Sequence, residues 1–384
     1  MEILIISFDA DPPFKGGVCT ITNILAKELV KKGHQCTLGY INETDTPSTF
    51  FTDKIRISED NIDNILIFSK RKKFDVIITQ FLFVNYDLLT PLKNTHCKVI
   101  SVYHSKPELR NTLFSSYLTA VIHNTNLKSR IYSLIHLFLF PLFKRYERKK
   151  DLIMFNKAYI NSDHLVLLSK KFFPFLQKII PNAQYPKLIA IGNPIVFDET
   201  FPIENLYQKE KKVLIVCNYN HVKRVPIMLK IWKEIEQDSQ FDNWSLTFVG
   251  GGENFHKVIL LAKKLGIKRI EFTGFKNPLP YYRICSIMLM TSKYEGYPMT
   301  LLEGQQMGVV PIVYNSFESL TDIVIDNFNG IIIPNNDKKT FTEQLKSLMR
   351  NEDRRFKLAQ NAITNSALHS KEVIIEKYIH LFND

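Results

Sequence analysis

Short runs of β-branched and aromatic residues alternate with stretches of helical spacing from the first residues onward. Ile3–Phe8, Gln35–Ile41, Val76–Phe81, Lys98–Tyr103, Leu165–Leu168 and Lys187–Ile191 read as buried strands. The alternation then starts again with Val213–Val216, Leu246–Val249, Ile270–Thr273, Ile287–Thr291, Val309–Val313 and Gly330–Ile333. Helical patterns fill 222–237, 253–265, 300–308 and 338–350. Strand and helix in regular alternation predict an α/β chain with parallel sheets covered by helices. Two sets predict two doubly wound domains, 1–192 and 213–365, joined by a linker over 193–212 that carries Pro194, Pro202 and a Gln-Lys-Glu-Lys-Lys run. A C-terminal helix over 366–384 is expected to pack back on the first domain. Sheets of this kind bind ligands at the carboxyl ends of their strands, so two of them facing a central cleft would hold two substrates.

Composition narrows the class. The chain has 384 residues, 45% apolar and 23% charged, which excludes disordered, collagen-like and disulfide-scaffold readings. The net charge of +12 is lopsided: residues 1–190 hold 26 basic against 16 acidic residues, the remainder 24 against 22. The five cysteines (Cys19, Cys36, Cys97, Cys217, Cys285) include no C-x-x-C pair, so neither a zinc site nor a disulfide framework is suggested and a reducing, cytoplasmic setting fits. The N-terminus lacks the basic n-region of a signal peptide. The most apolar run, Ile131–Phe143, contains His136 and Pro141 and is shorter than the roughly 20 residues that span a bilayer.

The most informative segment runs from Lys293 to Pro311, after the strand Ile287–Thr291. Pro298 can open a helix, and Met299, Thr300 and Leu301 then occupy its first turn, where backbone N–H groups lack helical acceptors. A phosphate there gains those donors and the helix dipole. Glu303 follows on the same helix, and a carboxylate so placed can accept from two neighbouring hydroxyls, as a ribose presents them. Glu295 lies on the preceding loop, free to face a sugar.

Glu295 and Glu303, in the setting Ser292-x-x-Glu295-Gly-Tyr-Pro298-x-x-Leu-Leu-Glu303, resemble the E-x7-E motif of the retaining glycosyltransferases of family 4, which have the GT-B fold of two Rossmann-like domains. The resemblance extends over most of the chain and is strongest in 212–335. Lys15-Gly16-Gly17-Val18 matches the glycine loop after the first strand of that family, and Val99–His104 the strand that ends in an active-site histidine. Ser162–Ser169, Ile191-Gly-Asn-Pro194, Phe248–Gly252 and Phe272–Phe275 match further turns. The resemblance implies a nucleotide-sugar donor, a UDP- or GDP-sugar, used without a metal or other cofactor, the departing diphosphate being neutralised by a helix N-terminus and basic side chains. Lys223 is the expected charge partner. The family commonly places an arginine five residues before this lysine; here Asn218 stands there, and Arg224 is the remaining candidate. Gly16 and Gly17 would let the backbone approach the ligand, as would Gly250 in the second domain. His104 would contact a sugar hydroxyl or the transition state, Glu295 would hold the donor sugar, and Phe275 and Lys276 lie in the loop where the base is seated. Asp9-Ala-Asp11 spells the D-x-D of metal-dependent transferases, but ahead of the glycine loop, where it reads as a turn.

Residues 101–150 hold nine Lys/Arg against two acidic residues. Within them Arg130–Lys150 mixes aromatic and aliphatic side chains with a dense basic end, the character of a segment lying in a lipid interface. The family resemblance implies a hexosyltransferase similar to those of bacterial surface glycans (lipopolysaccharide or capsule), donating a hexose or N-acetylhexosamine to a glycan or lipid-linked acceptor. It would be cytoplasmic and peripheral on the anionic inner face of the membrane. The alternatives are a nucleotide-sugar epimerase of the same fold and a basic nucleic-acid- or membrane-binding scaffold without catalysis. No nucleic-acid signature is present to favour the scaffold.

Overall fold

Thirteen strands form two sheets among the described residues, which in this computed structural model are 1–9, 16–42, 50–109, 127–252 and 255–383. The first sheet contains β1 (Glu2–Asp9), β2 (Gln35–Asn42), β3 (Asp53–Arg56), β4 (Phe74–Thr79), β5 (Lys93–Tyr103), β6 (His164–Leu167) and β7 (Leu188–Ala190). Their order is β3-β2-β1-β4-β5-β6-β7, and every neighbouring pair is parallel. Helices α1 (Gly17–Lys31), α2 (Ile62–Arg71), α3 (Leu127–Phe138), α4 (Phe140–Asn161) and α5 (Phe173–Ile179) belong to this unit. Strands covered on both faces must be apolar throughout, and Ile3, Leu4, Ile5 and Ile6 are all inaccessible. β3 is the exception and was not expected. Its pattern, Asp-Lys-Ile-Arg, buries Ile55 alone, as suits a short charged strand at a sheet edge.

The second unit repeats the plan. In chain order it runs β8 (Glu210–Val216), α6 (Val225–Glu236), β9 (Ser245–Val249), α7 (Phe255–Lys264), β10 (Ile270–Gly274), α8 (Leu279–Ile284), β11 (Cys285–Met290), α9 (Met299–Gln306), β12 (Val310–Asn315), β13 (Ile331–Pro334), α10 (Lys338–Arg350), α11 (Glu352–Ser366) and α12 (Lys371–Asn383). The sheet order is β10-β9-β8-β11-β12-β13, again parallel throughout. Its core gathers Trp232, Phe241, Phe248, Tyr314 and Phe341 around the sheet, each at most 1% exposed. Such side chains contribute on the order of 2–3 kcal/mol apiece on burial.

Two expected boundaries shift. The chain divides into Met1–Ile191, with the last few residues from Leu381 onward, and Gly192–His380. The expected linker 193–212 is thus built into the second unit. Gln306, 1% exposed, donates to the carbonyls of Phe197 and Glu199, and the amide of Phe197 donates to its Oε1. Leu206 is buried, and residues 210–212 are already strand. Most of the expected C-terminal return, 366–380, likewise belongs to the second unit.

In each sheet the strand order reverses once, between β1 and β4 and between β8 and β11. At such a switch point the loops leaving the two strands diverge and open a crevice. The candidate residues cluster at these two places.

Candidate functional site

At the first switch point, Gly16 has φ 116° and immediately precedes α1, whose first residue is Gly17. A side chain on Gly16 would meet nothing within 4 Å among the described residues; the backbone angle is what favours glycine there. His104 leaves β5 and its Nε2 lies 2.6 Å from Oε1 of Gln80, the residue after β4. An amide oxygen only accepts, so Nε2 carries the proton and Nδ1 is left as the ring's acceptor. Burial pushes the imidazole down to about 4, which keeps it neutral at pH 7. Gln80 is 2% exposed and its Nε2 finds no partner among the described residues. Sequence reasoning missed Gln80; a lone amide closing the apolar run Phe74–Thr79 was the available signal. Asp11 lies outside the described residues, as does the side chain of Asp9.

The second switch point is more fully assembled. After β8 the chain turns through Cys217–Asn220, and the Asn220 side chain accepts from the amides of Val222 and Lys223, capping a 3-10 turn over His221–Lys223. That turn aims Lys223 at the exit of β11, where its Nζ lies 2.5 Å from Glu295 Oε1. The pair is held from behind: the amide of Lys293 donates to the Val222 carbonyl at 2.7 Å, and the Thr291 hydroxyl donates to the Lys223 carbonyl at 3.1 Å. The Glu295 loop is fixed in turn by Ser319, which donates to the Gly296 carbonyl, and by Asn193, which donates to the Tyr297 carbonyl. Lys223 and Glu295, assigned separately from sequence, are thus direct partners.

Pro298 then caps α9. The helix is buried on nearly all sides, which needs Gly304: a Cβ there would fall 2.3 Å from Met288 Sδ on β11. It ends at Gly308, φ 67°, whose amide reaches the Gln305 carbonyl, the glycine termination of a left-handed cap. Met299 and Thr300 are half-buried on its first turn, so their amides, which have no preceding helical carbonyl, can reach a ligand. Leu301 cannot serve as expected. Its side chain is inaccessible and its amide donates to the Pro298 carbonyl. Glu303, one turn on, is half-buried and accepts from the Tyr282 hydroxyl at 2.9 Å. Burial pushes its carboxyl up to about 7, against the opposing pull of the Tyr282 hydrogen bond.

Two further assignments change. Arg224, a candidate phosphate ligand, has its guanidinium committed to protein acceptors: Nε to the Thr291 carbonyl at 2.5 Å, Nη2 to Ser292 O and Asn335 Oδ1, and Nη1 to Asn336 Oδ1. It staples the loops after β8, β11 and β13. Gly250 donates its amide to the Gly274 carbonyl, and a Cβ on it would fall 2.0 Å from the Cys217 carbonyl. The glycine is required by the approach of two loops, with no ligand needed to explain it. Asn218 is exposed on the loop after β8. Phe275, 68% exposed, and Lys276 follow β10 beside Gly251, whose Cβ would lie 3.8 Å from Phe275. An apolar ring in water at this edge can stack a base. Cys217 lies in the same corner, but burial pushes its thiol up to about 12, so it supplies no thiolate nucleophile.

The arrangement offers the Lys223 ammonium, a helix N-terminus and the Glu303 carboxylate beside the β8/β11 switch point, with an exposed aromatic, Phe275, after the edge strand β10. Residues 196–365, which contain it, match the family model described as "Glycosyl transferases group 1". The amylovoran biosynthesis glycosyltransferase AmsD of Erwinia amylovora is 29% identical over 49% of this chain and 51% of its own length. An undecaprenol-linked-glycan α-1,4-N-acetyl-D-galactosaminyltransferase of Campylobacter jejuni is 23% identical over 54% and 60%. The chain therefore spans about half the length of the curated relatives it matches. Among solved structures, HepE of Anabaena in complex with UDP superposes with a TM-score of 0.73 at 13% identity, covering 100% of both chains. Sucrose-phosphate synthase of Thermosynechococcus elongatus superposes with a TM-score of 0.74 at 15% identity, covering 100% of this chain and 98% of that one. The chain thus has the GT-B fold of these proteins, and its segment 196–365 matches the group 1 glycosyl transferases.

Proposed function

We propose that the chain is a retaining, family 4 glycosyltransferase that transfers a hexose or N-acetylhexosamine from a nucleotide sugar, a UDP-sugar first among them, to a glycan or lipid-linked acceptor of a surface polysaccharide. The observation that carries this reading is the corner at the β8/β11 switch point, where Lys223, Glu295, the first turn of α9 and Glu303 converge. When the bond from the anomeric carbon to the diphosphate breaks, negative charge grows on the leaving oxygen. In this reading Lys223 and the amides of Met299 and Thr300 would stabilise that charge. Glu303 would take the ribose hydroxyls, Phe275 the base, and Glu295 the hydroxyls of the donor sugar. The transfer itself needs no metal in this reading. The names of the relatives, which act in amylovoran and undecaprenol-linked glycan assembly, support the acceptor class.

The experiment is a panel of nucleotides and nucleotide sugars scored by thermal shift, followed by product analysis with and without acceptor. Nucleoside diphosphates should raise the unfolding temperature, since a ligand of the folded state stabilises by mass action. Glu303→Ala should abolish that rise, while Glu295→Ala should keep it and lose turnover. Equal, negligible effects would remove the site assignment, and an isomerised donor without acceptor would mark an epimerase.

The same reading places the protein on the anionic inner leaflet. α3 and α4 expose Tyr132, Leu142, Tyr146 and, at 87%, Phe138, beside Arg145, Arg148, Lys149 and Lys150. No helix among the described residues is long and apolar enough to cross a membrane, and interfacial attachment requires none. Neutralising Lys144, Arg145, Arg148, Lys149 and Lys150 together should release the chain from anionic vesicles at low salt; undiminished co-sedimentation rejects the attachment.

A further inference from the structure

Tyr282 was singled out by no motif, and it is the side chain on which Glu303 rests. It belongs to α8, is inaccessible to solvent, and its hydroxyl lies 2.9 Å from Glu303 Oε2 and 3.3 Å from the carbonyl of Thr300, on the first turn of α9. Its own carbonyl accepts from Lys209 Nζ at 2.6 Å, and the same ammonium reaches the Met307 carbonyl at the other end of α9. The tyrosine therefore touches the start of the helix while its backbone is tied to the end. We propose that Tyr282 is a positioning residue for the nucleotide corner: its hydroxyl holds Glu303 Oε2 and fixes the carboxylate, so that Oε1 remains for the ribose.

The proposal rests on the reading of Glu303 as the ribose ligand. Its physics is a competition between two effects on one carboxyl. Burial favours the neutral acid, and the phenol hydrogen bond favours the anion. A proton on Glu303 Oε1 would replace the acceptor left for the ribose by a hydroxyl donor and would weaken its pairing with a diol. Because the carboxyl sits at about 7, raised from the ordinary carboxylate range, the binding-competent anion is gained as pH rises through neutrality and lost below it. Among the described residues, Cys217 and Cys285, whose thiols are pushed up to about 12, act on Tyr282, and Lys209, which donates to the Tyr282 carbonyl, is lowered by burial to about 7. Lys209 is the one that titrates in the same range, so the test must separate it from Glu303.

The test is the affinity of the full chain for UDP by calorimetry from pH 5.5 to 9, for wild type, Tyr282→Phe and Glu303→Gln. Dividing each dissociation constant by that of Glu303→Gln at the same pH cancels the protonation of the UDP phosphate and of Lys209. The wild-type ratio should favour binding increasingly through a midpoint near 7. In Tyr282→Phe that midpoint should move up by about one to two units, because a hydrogen bond to a charged group is removed. At pH 7.5 binding should then be about 3- to 20-fold weaker, recovering at pH 9. A merely structural tyrosine would weaken binding at every pH and leave the midpoint in place, and that outcome overturns the proposal while Glu303 keeps its role. Glu303→Gln binding as tightly as wild type overturns the ribose reading itself. Should Tyr282→Phe fail to fold, wild type labelled with carbon-13 at tyrosine Cζ answers the same question. One resonance should titrate near 7 and lose that titration in Glu303→Gln; its absence overturns the proposal.

Discussion

Lys223→Ala is expected to lower kcat/KM for glycosyl transfer about 10²–10³-fold, the usual cost of removing one preorganised stabiliser of developing charge. The loss should be this large because Arg224 is occupied by four loop acceptors and cannot substitute. Removal also strips Glu295 of the cation 2.5 Å away, leaving a carboxylate only 12% exposed without its charge partner. The measurement is a comparison of UDP with uridine. Affinity for UDP should fall and affinity for uridine should hold if, as proposed, the ammonium addresses the phosphates and Glu303 the ribose. Equal losses for both would mean that Lys223 supports the loop and takes no part in phosphate binding.

Gly250→Ala is expected to cost about 3–5 kcal/mol of stability in the second unit, adding backbone strain at φ 139° to a steric overlap. The overlap is with backbone: the new Cβ would fall 2.0 Å from the Cys217 carbonyl, and that strand exit is pinned by Cys217 N to Val249 O and Tyr219 N to Gly251 O. Nothing flexible can retreat. Gly16→Ala is the comparison, with a similar φ of 116° and no atom of the described residues within 4 Å, and should cost chiefly the angle, about 1–2 kcal/mol. Urea unfolding of both variants decides it. Similar midpoints would show that the loops after β8 and β9 yield more readily than their hydrogen bonds imply.

These two cases mark the boundary of what the residues declare in advance. Glu295, Glu303 and Lys223 were named from sequence because the loops after β8 and β11 resemble a known motif, and the structure brings Lys223 onto Glu295. Gly16, Gly17 and His104 were named by the same resemblance. β3 was missed because an edge strand of four residues with one buried isoleucine has no hydrophobic pattern to display. The linker over 193–212 misled because its prolines and charges resemble a hinge, whereas Gln306, over a hundred positions away in sequence, clamps it onto α9. Arg224 and Gly250 had the right residue types in the right loops. Their roles depend on which long-range partner reaches them first, a carbonyl of the protein or a ligand, and local sequence carries no trace of that. Tyr282 and Gln80 belong to the same class: each is the unseen second half of a contact whose first half was found.

The most direct measurement of the nucleotide corner is the structure of the chain crystallised with UDP. The account predicts the ribose hydroxyls within hydrogen-bond distance of the Glu303 carboxylate, and the diphosphate at the amides of Met299 and Thr300 with the Lys223 ammonium beside it. UDP bound elsewhere on the second sheet, with Glu303 turned onto protein groups alone, would contradict it.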